Sequence, residues 1–139
     1  MLLVQKLNEV VDNWKIKAKD FLNVIFAHHC SILFRKPVPE DLADYYEKIK
    51  EPRDFEIIKV LIKLLNYNKL ESDNYKNLEE FRKDVDLIIT NCKGYNEEHS
   101  FLYEQAKILD IFISHLANIE KVFLKVGNYN ERIFDIIKY

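Results

Sequence analysis

The sequence predicts an all-α fold, namely a bundle of four amphipathic helices. Apolar residues recur at steps of three and four in four separate stretches, which is the spacing of one helical stripe. No stretch alternates between apolar and polar residues with the period of two that half-buried strands show. Two glycines among 139 residues leave few positions for the tight turns of hairpins. A chain of this length is sufficient for one hydrophobic core.

The first element is predicted to be a long helix that runs to about Ile32. Pro37 and Pro39 lack the amide donor that a helix needs, so the helix cannot continue through them. Its apolar stripe is formed by Leu7, Val11, Trp14, Ala18, Phe21 and Ile25.

A long connection is predicted to follow, from residue 33 to residue 53. Connections of this length are uncommon within a compact domain, and those that occur often line a site. This one is also rich in apolar side chains, and their burial requires the connection to pack against the bundle. These side chains are Phe34, Val38, Leu42, Tyr45, Tyr46 and Ile49.

Capping residues place the second and third helices. Asp54 is the predicted N-cap of the second helix, whose stripe begins at the next residue. Asn77 with Glu80 three residues later resembles a capping box, which predicts the start of a third helix that ends near Gly94.

The fourth helix is predicted to begin after Ser100, a residue type that is favoured as an N-cap, and to end before Gly127. Residues 128–139 are expected to form one more short helix. The chain would then consist of four main helices with one long first connection, which is the pattern of a four-helix bundle.

The composition argues against several classes of function. The chain has 21 basic and 23 acidic residues, and 17 of the basic residues are lysines, so we expect no direct nucleic-acid binding. No glycine-rich phosphate loop is present, and no apolar run approaches the roughly 20 residues of a membrane span. Cys30 and Cys92 are far apart and match no metal or redox spacing, so we interpret them as reduced thiols of an intracellular protein.

Four segments, in this order and spacing, resemble the bromodomain, the acetyl-lysine reading module of chromatin proteins. They are Phe34-Arg-Lys-Pro37-Val38, then residues 44–54, then Phe81-Arg-Lys-Asp84, and finally Thr90-Asn91-Cys92-Lys93-Gly94-Tyr95-Asn96. The resemblance covers residues 14–125 and implies a left-handed four-helix bundle of the bromodomain type. Residues 1–13 would extend the first helix, and residues 126–139 would form a C-terminal extension.

The resemblance also implies a binding site for acetyl-lysine. The side-chain nitrogen of Asn96 would donate to the acetyl oxygen, and the Tyr45 phenol would hold that oxygen through an ordered water. An unmodified lysine would lose the hydration of a full charge and would face a donor, so the site should reject it. The remaining implied site residues are the wall residues Phe34, Val38, Leu42, Cys92 and Tyr95, the gatekeeper Leu102, and the shelf residues Ile32 and Leu33.

Two departures from the family pattern lie beside this site. The shelf reads Ile32-Leu33-Phe34 where the family often has Trp-Pro-Phe, so the flat aromatic wall is reduced. Arg53 follows Pro52 where the family usually has methionine. We expect the long stem of Arg53 to carry its charge into solvent, with little effect on the pocket.

Two further groups of polar residues are given structural interpretations. The run His28-His29-Cys30 would lie in the first helix, where adjacent side chains point about 100° apart, so we expect no convergence on a metal or a catalytic pair. The acidic residues near the pocket could form a rim that attracts a lysine-rich peptide, or merely a solvated surface; they are Glu40, Asp41, Glu97 and Glu98.

The function predicted from these features is a non-enzymatic, nuclear reader of acetylated histone tails that recruits a larger chromatin or transcription regulator. We expect a monomer without a metal or cofactor, and with no membrane contact. One alternative is a bromodomain-like interaction scaffold that does not bind acetyl-lysine. Another is an enzyme, such as a hydrolase built around His28 or His99 with a cysteine, although no converging catalytic set can be placed from the sequence.

Overall fold

The computed structural model describes residues 2–65 and 75–123, and within these ranges all regular secondary structure is helical, which confirms the all-α prediction. Five α-helices and one 3-10 helix are present there: α1 (Leu2–Ala27), the 3-10 helix (His29–Phe34), α2 (Ala43–Lys48), α3 (Phe55–Leu64), α4 (Leu78–Tyr95) and α5 (Phe101–Phe123). None of these helices combines the length and the hydropathy that spanning a membrane requires. The short helix expected within residues 128–139 lies outside the described residues.

The four longest helices, α1, α3, α4 and α5, form the predicted bundle. Helix α4 packs against α1, α3 and α5, and α1 also packs against α3. Phe21 of α1 meets Phe81 of α4 edge to face, with ring centroids 6.2 Å apart. Leu109 and Ile113 of α5 are completely buried in the same core. The predicted apolar stripes therefore converge on one hydrophobic core.

The capping predictions for α3, α4 and α5 are confirmed. Asp54 Oδ1 accepts the Ile57 backbone N–H at 2.9 Å. Asn77 Oδ1 accepts the Glu80 N–H at 2.9 Å, while the Glu80 carboxylate accepts the N–H of residue 76, one position before the cap. Ser100 Oγ accepts the N–H of residue 103 at 3.4 Å. Local side-chain chemistry thus determines where the three helices begin.

The first helix ends earlier than predicted, at Ala27 rather than near Ile32. His28 has an extended backbone (φ −73°, ψ 132°), and its Nδ1 accepts the Cys30 N–H at 3.1 Å. The Ser31 hydroxyl lies within donating distance of the carbonyls of residue 26 (3.0 Å) and residue 28 (2.7 Å), and the residue 28 carbonyl also accepts the Ser31 backbone N–H at 3.0 Å. The helix is therefore ended by these side chains, well before the prolines.

This early end also overturns the expectation that the side chains of residues 28–30 diverge. His28 caps the 3-10 helix that begins at His29, so the three residues do not share one α-helix. One ligating atom from each of His28, His29 and Cys30 lies within 4.8 Å of the others.

The long connection after Phe34 is more regular than the sequence indicated, because it contains the short helix α2. Tyr45 and Ile49 are buried, as the density of apolar residues in this segment predicted. Tyr46 anchors the connection internally, since its hydroxyl donates to the Val38 carbonyl.

Replacement of Asp54 by alanine should lower the free energy of unfolding by about 1 kcal/mol, because the Ile57 N–H would lose its acceptor. Urea denaturation followed by far-ultraviolet circular dichroism measures this change. Asp54→Asn is the matched control, since it keeps a capping oxygen and should lose much less. Equal losses in the two variants would contradict the capping role.

Candidate functional site

A largely apolar cleft of about 690 Å³ lies between the long connection and the junction of α4 with α5. The structure brings all ten of the predicted site residues to this cleft, although they are spread over about 70 positions of the chain. Those residues are Ile32, Leu33, Phe34, Val38, Leu42, Tyr45, Cys92, Tyr95, Asn96 and Leu102.

Asn96 lies at the C-terminal cap of α4, where two of its groups bind the same helix carbonyl. Its backbone N–H and its side-chain Nδ2 both donate to the Cys92 carbonyl oxygen at 2.9 Å. Nδ2 also lies 3.4 Å from Cys92 Sγ, which is a weak acceptor. An amide nitrogen has two hydrogens, so one remains available for a stronger acceptor placed in the cleft.

The thiol of Cys92 is held in its neutral form. Burial raises the pKa of Cys92, and this effect outweighs the opposite influence of the hydrogen bond from Asn96. The sulfur also lies 3.4 Å from the Leu102 carbonyl oxygen, the expected acceptor for the thiol proton. Cys92 therefore contributes an apolar wall rather than a reactive thiolate.

Tyr45 is buried between two other aromatic rings. Its ring meets Tyr46 at 5.1 Å and Tyr95 at 5.0 Å between centroids, in both cases edge to face. Burial raises the pKa of Tyr45, and the neighbouring Tyr46 adds to the effect. The phenol is therefore a neutral group that can donate and accept hydrogen bonds near neutral pH.

Two hydrogen bonds hold the long connection against α4. The Tyr95 hydroxyl donates to the Asp44 carboxylate at 3.0 Å, and this bond is the main cause of the raised pKa of Tyr95. Asn91 Nδ2 donates to the Glu51 carbonyl at 2.8 Å. Because the two anchors flank Tyr45 along the connection, they position its ring relative to the end of α4.

The mouth of the cleft exposes a large amount of apolar side chain. Ile32 and Leu33 of the 3-10 helix are 58% and 45% exposed, and Leu42 and Leu102 on the facing segments are also open to solvent. Phe101, at the start of α5 beside Leu102, is exposed as well. The shelf therefore offers aliphatic contact surface, in place of the aromatic wall that the family often has.

The expectation that Arg53 extends into solvent is wrong. Its Nε lies 3.1 Å from Asp84 Oδ1, and the side chains of Arg53 and Asp84 are 31% and 13% exposed. Arg53 also lines the cleft. The other oxygen of Asp84 accepts the Tyr75 hydroxyl at 2.6 Å, so the arginine binds a carboxylate that is already fixed in place.

The cleft is also lined by several residues that were not predicted from the sequence to belong to the site. Ile88 lies one helical turn before Cys92 on the same face of α4, and the three-four spacing could have identified it. Phe26, Arg35 and Glu56 could not be identified in that way, because they come from three different elements. The Arg35 guanidinium lies 4.4 Å from the centre of the Phe26 ring, and the Arg35 carbonyl accepts the Glu56 N–H at 3.0 Å.

Replacement of Arg53 by methionine, the usual residue of the family, should lower the free energy of unfolding by about 1 kcal/mol or more, because the half-buried Asp84 would lose its cation. Arg82→Met is the matched control. It breaks a pair with Asp86 four residues away, whose carboxylate is 48% exposed against 13% for Asp84, so this pair should contribute less than about 0.5 kcal/mol. Chemical denaturation compares the two, and equal losses would refute the structural role of Arg53.

Comparisons with known proteins agree with this geometry. The family model described as Bromodomain matches residues 18–108. The nucleosome-remodeling factor subunit NURF301 of Drosophila melanogaster is 29% identical over 130 residues, which are 93% of this chain and 4% of that protein. The histone acetyltransferase GCN5 of Yarrowia lipolytica is 36% identical over 83 residues, which are 60% of this chain and 16% of that protein. The E3 ubiquitin-protein ligase TRIM33 of Xenopus laevis is 35% identical over 117 residues, which are 84% of this chain and 10% of that protein.

The chain thus spans at most 16% of the length of these three relatives. The matched range contains the 3-10 helix, the long connection, all of α4 and the beginning of α5, and so every predicted residue of the cleft. This chain belongs to the bromodomain family.

Proposed function

We propose that this bromodomain is a non-catalytic reader that binds acetylated lysine side chains, with acetylated histone tails as its ligands. The observation that carries the proposal is the Asn96 carboxamide, which is held at the end of α4 beside an apolar cleft and whose second N–H hydrogen has only the weak acceptor Cys92 Sγ. Asn96 would donate this hydrogen to the acetyl oxygen.

The chemistry of acetylation matches such a cleft. Acetylation converts a charged ammonium group into a neutral amide that ends in a methyl group. The methyl group and the butylene stem favour apolar walls such as those of Phe34, Val38 and Cys92. A free lysine would lose hydration and meet the donor of Asn96 instead of an acceptor, which costs more than such a small contact returns.

Tyr45 is the proposed second contact. Its buried, neutral phenol lies on the connection that lines the cleft opposite Asn96, where it could bind an ordered water that also contacts the acetyl oxygen. The ligand is one side chain on a flexible peptide, so the dissociation constant for a single acetyl mark should be on the order of 10 to 1,000 μM.

Exposed carboxylates flank the mouth of the cleft and would attract a basic peptide, whereas the lining of the cleft itself includes Arg35, Lys36 and Arg53. Glu40, Asp41, Glu97 and Glu98 are all exposed on the segments that flank the mouth, and Asp44 lies at the same edge. Long-range attraction between these carboxylates and a lysine-rich tail would raise the association rate at low ionic strength. The exposed aliphatic shelf would contact residues next to the acetylated lysine.

The names of two relatives favour a chromatin setting. One is a subunit of a nucleosome-remodeling factor, and another is a histone acetyltransferase. We therefore place the protein in the nucleus, where the reader would bring a larger chromatin or transcription regulator to acetylated tails. Catalysis in such assemblies would belong to other domains.

A second candidate is an interaction scaffold of the same fold without acetyl-lysine binding. The exposed Ile32 and Leu33 favour it, since an aliphatic shelf could serve as a protein contact by itself. The two functions differ in one property: a scaffold would show no preference for acetylated over unmodified peptides.

Asn96→Ala should abolish acetyl-specific binding, because the acetyl oxygen would lose its donor. Isothermal titration calorimetry with acetylated and unmodified histone-tail peptides measures the preference. Asn118→Ala, at an exposed position of α5, is the matched control and should bind like the wild type. Equal affinity of the wild type for both peptides would reject the reader function and leave the scaffold.

Tyr45→Phe should weaken binding of the acetylated peptide about tenfold, the loss expected for one water-mediated hydrogen bond. Tyr103→Phe makes the same chemical change on α5, outside the cleft lining, and should leave the affinity unchanged. Calorimetric titration of both variants with one peptide tests the role of the phenol. An unchanged affinity in Tyr45→Phe would remove Tyr45 from the site.

A further inference from the structure

Three side chains outside the cleft come together where α1 gives way to the 3-10 helix. One ligating atom each from His28, His29 and Cys30 lies within 4.8 Å of the others. His29 Nε2 is 3.5 Å from Cys30 Sγ. The rings of His28 and His29 are stacked with centroids 4.7 Å apart.

The thiol of this cluster is buried, but one side of the cluster is open to solvent. Cys30 is 1% exposed, and its sulfur lies 3.2 Å from Gln105 Oε1 of α5. The Phe112 ring, also on α5, packs against His28 at 4.4 Å between centroids. His29 is exposed, so an ion from solvent could reach the group from that side.

We propose that His28, His29 and Cys30 form a zinc-binding site with three protein ligands and a water in the fourth position. A tetrahedral zinc ion with bonds of about 2.3 Å to sulfur and about 2.05 Å to nitrogen holds these two atoms about 3.5 Å apart. The distance between Cys30 Sγ and His29 Nε2 already has this value. Zinc prefers thiolate and imidazole ligands, whereas magnesium and calcium prefer oxygen donors.

Binding forms the bond between Cys30 Sγ and zinc, and the thiol proton passes to solvent.

The contributions of the three ligands should differ. Nδ1 of His28 accepts the Cys30 backbone N–H at 3.1 Å, and ligation through this atom would replace that hydrogen bond. His29 and Cys30 have no such competing bond to a backbone N–H among the contacts of the described residues. Loss of His28 should therefore weaken zinc binding less than loss of either other ligand.

The test uses metal-free protein without a histidine tag, kept under a phosphine reductant. Zinc is titrated in competition with a chromophoric chelator, and cobalt(II) is then added as a spectroscopic substitute. The wild type should bind one equivalent of zinc, and the cobalt form should show a thiolate-to-cobalt charge-transfer band. Cys30→Ser and His29→Ala should each weaken binding about tenfold or more, and His28→Ala by a smaller factor.

Cys92→Ser and His115→Ala are the matched controls, since they remove a cysteine and a histidine that lie outside the cluster; both should bind zinc like the wild type. Circular dichroism verifies that each variant folds. His29 is exposed, so His29→Ala remains informative even where Cys30→Ser unfolds the protein. The absence of stoichiometric zinc binding, the absence of the charge-transfer band, or an equal loss in a control would overturn the proposal.

Discussion

The end of α4 is the constraint on which the cleft depends. The Cys92 carbonyl belongs to the last turn of the helix, where carbonyls lack intrahelical partners, and Asn96 satisfies it twice, through its backbone and through its side chain. The carboxamide therefore has little rotational freedom. Because α4 is buried in the bundle through Phe81, Val85 and Ile88, the position of this amide is tied to the hydrophobic core.

The opposite side of the cleft is formed by a connection that could not hold its shape alone. Its short helix α2 has six residues, fewer than an isolated helix needs for stability in water. Bonds from Tyr95 to Asp44 and from Asn91 to Glu51 join it to α4, and buried Tyr45 fills the space between them. The cleft walls are thus held to the same helix that carries the amide.

The break after Ala27 has consequences at both ends of the 3-10 helix. At its start, the extended backbone of His28 brings two imidazoles and a thiol together. At its end, Phe34 enters the cleft while Ile32 and Leu33 remain exposed at the mouth. A continuous α-helix through these positions would spread the three ligating groups around its axis and would change which side chains reach the cleft.

The sequence by itself determined the features that depend on neighbouring residues. The starts of α3 and α4 were predictable because Asp54 and Asn77 bind backbone groups only three positions away. The resemblance to the bromodomain implied all ten predicted residues of the cleft, six of which lie within the four matched segments. The tertiary structure decided what depends on distant partners. Arg53 turns towards Asp84, 31 positions along the chain. The path after His28 depends instead on short-range hydrogen bonds, such as that from the Cys30 N–H to His28 Nδ1, which the spacing of apolar residues does not reveal. Apolar spacing reports which face of a helix is buried, but it carries no information about which polar group that face will meet.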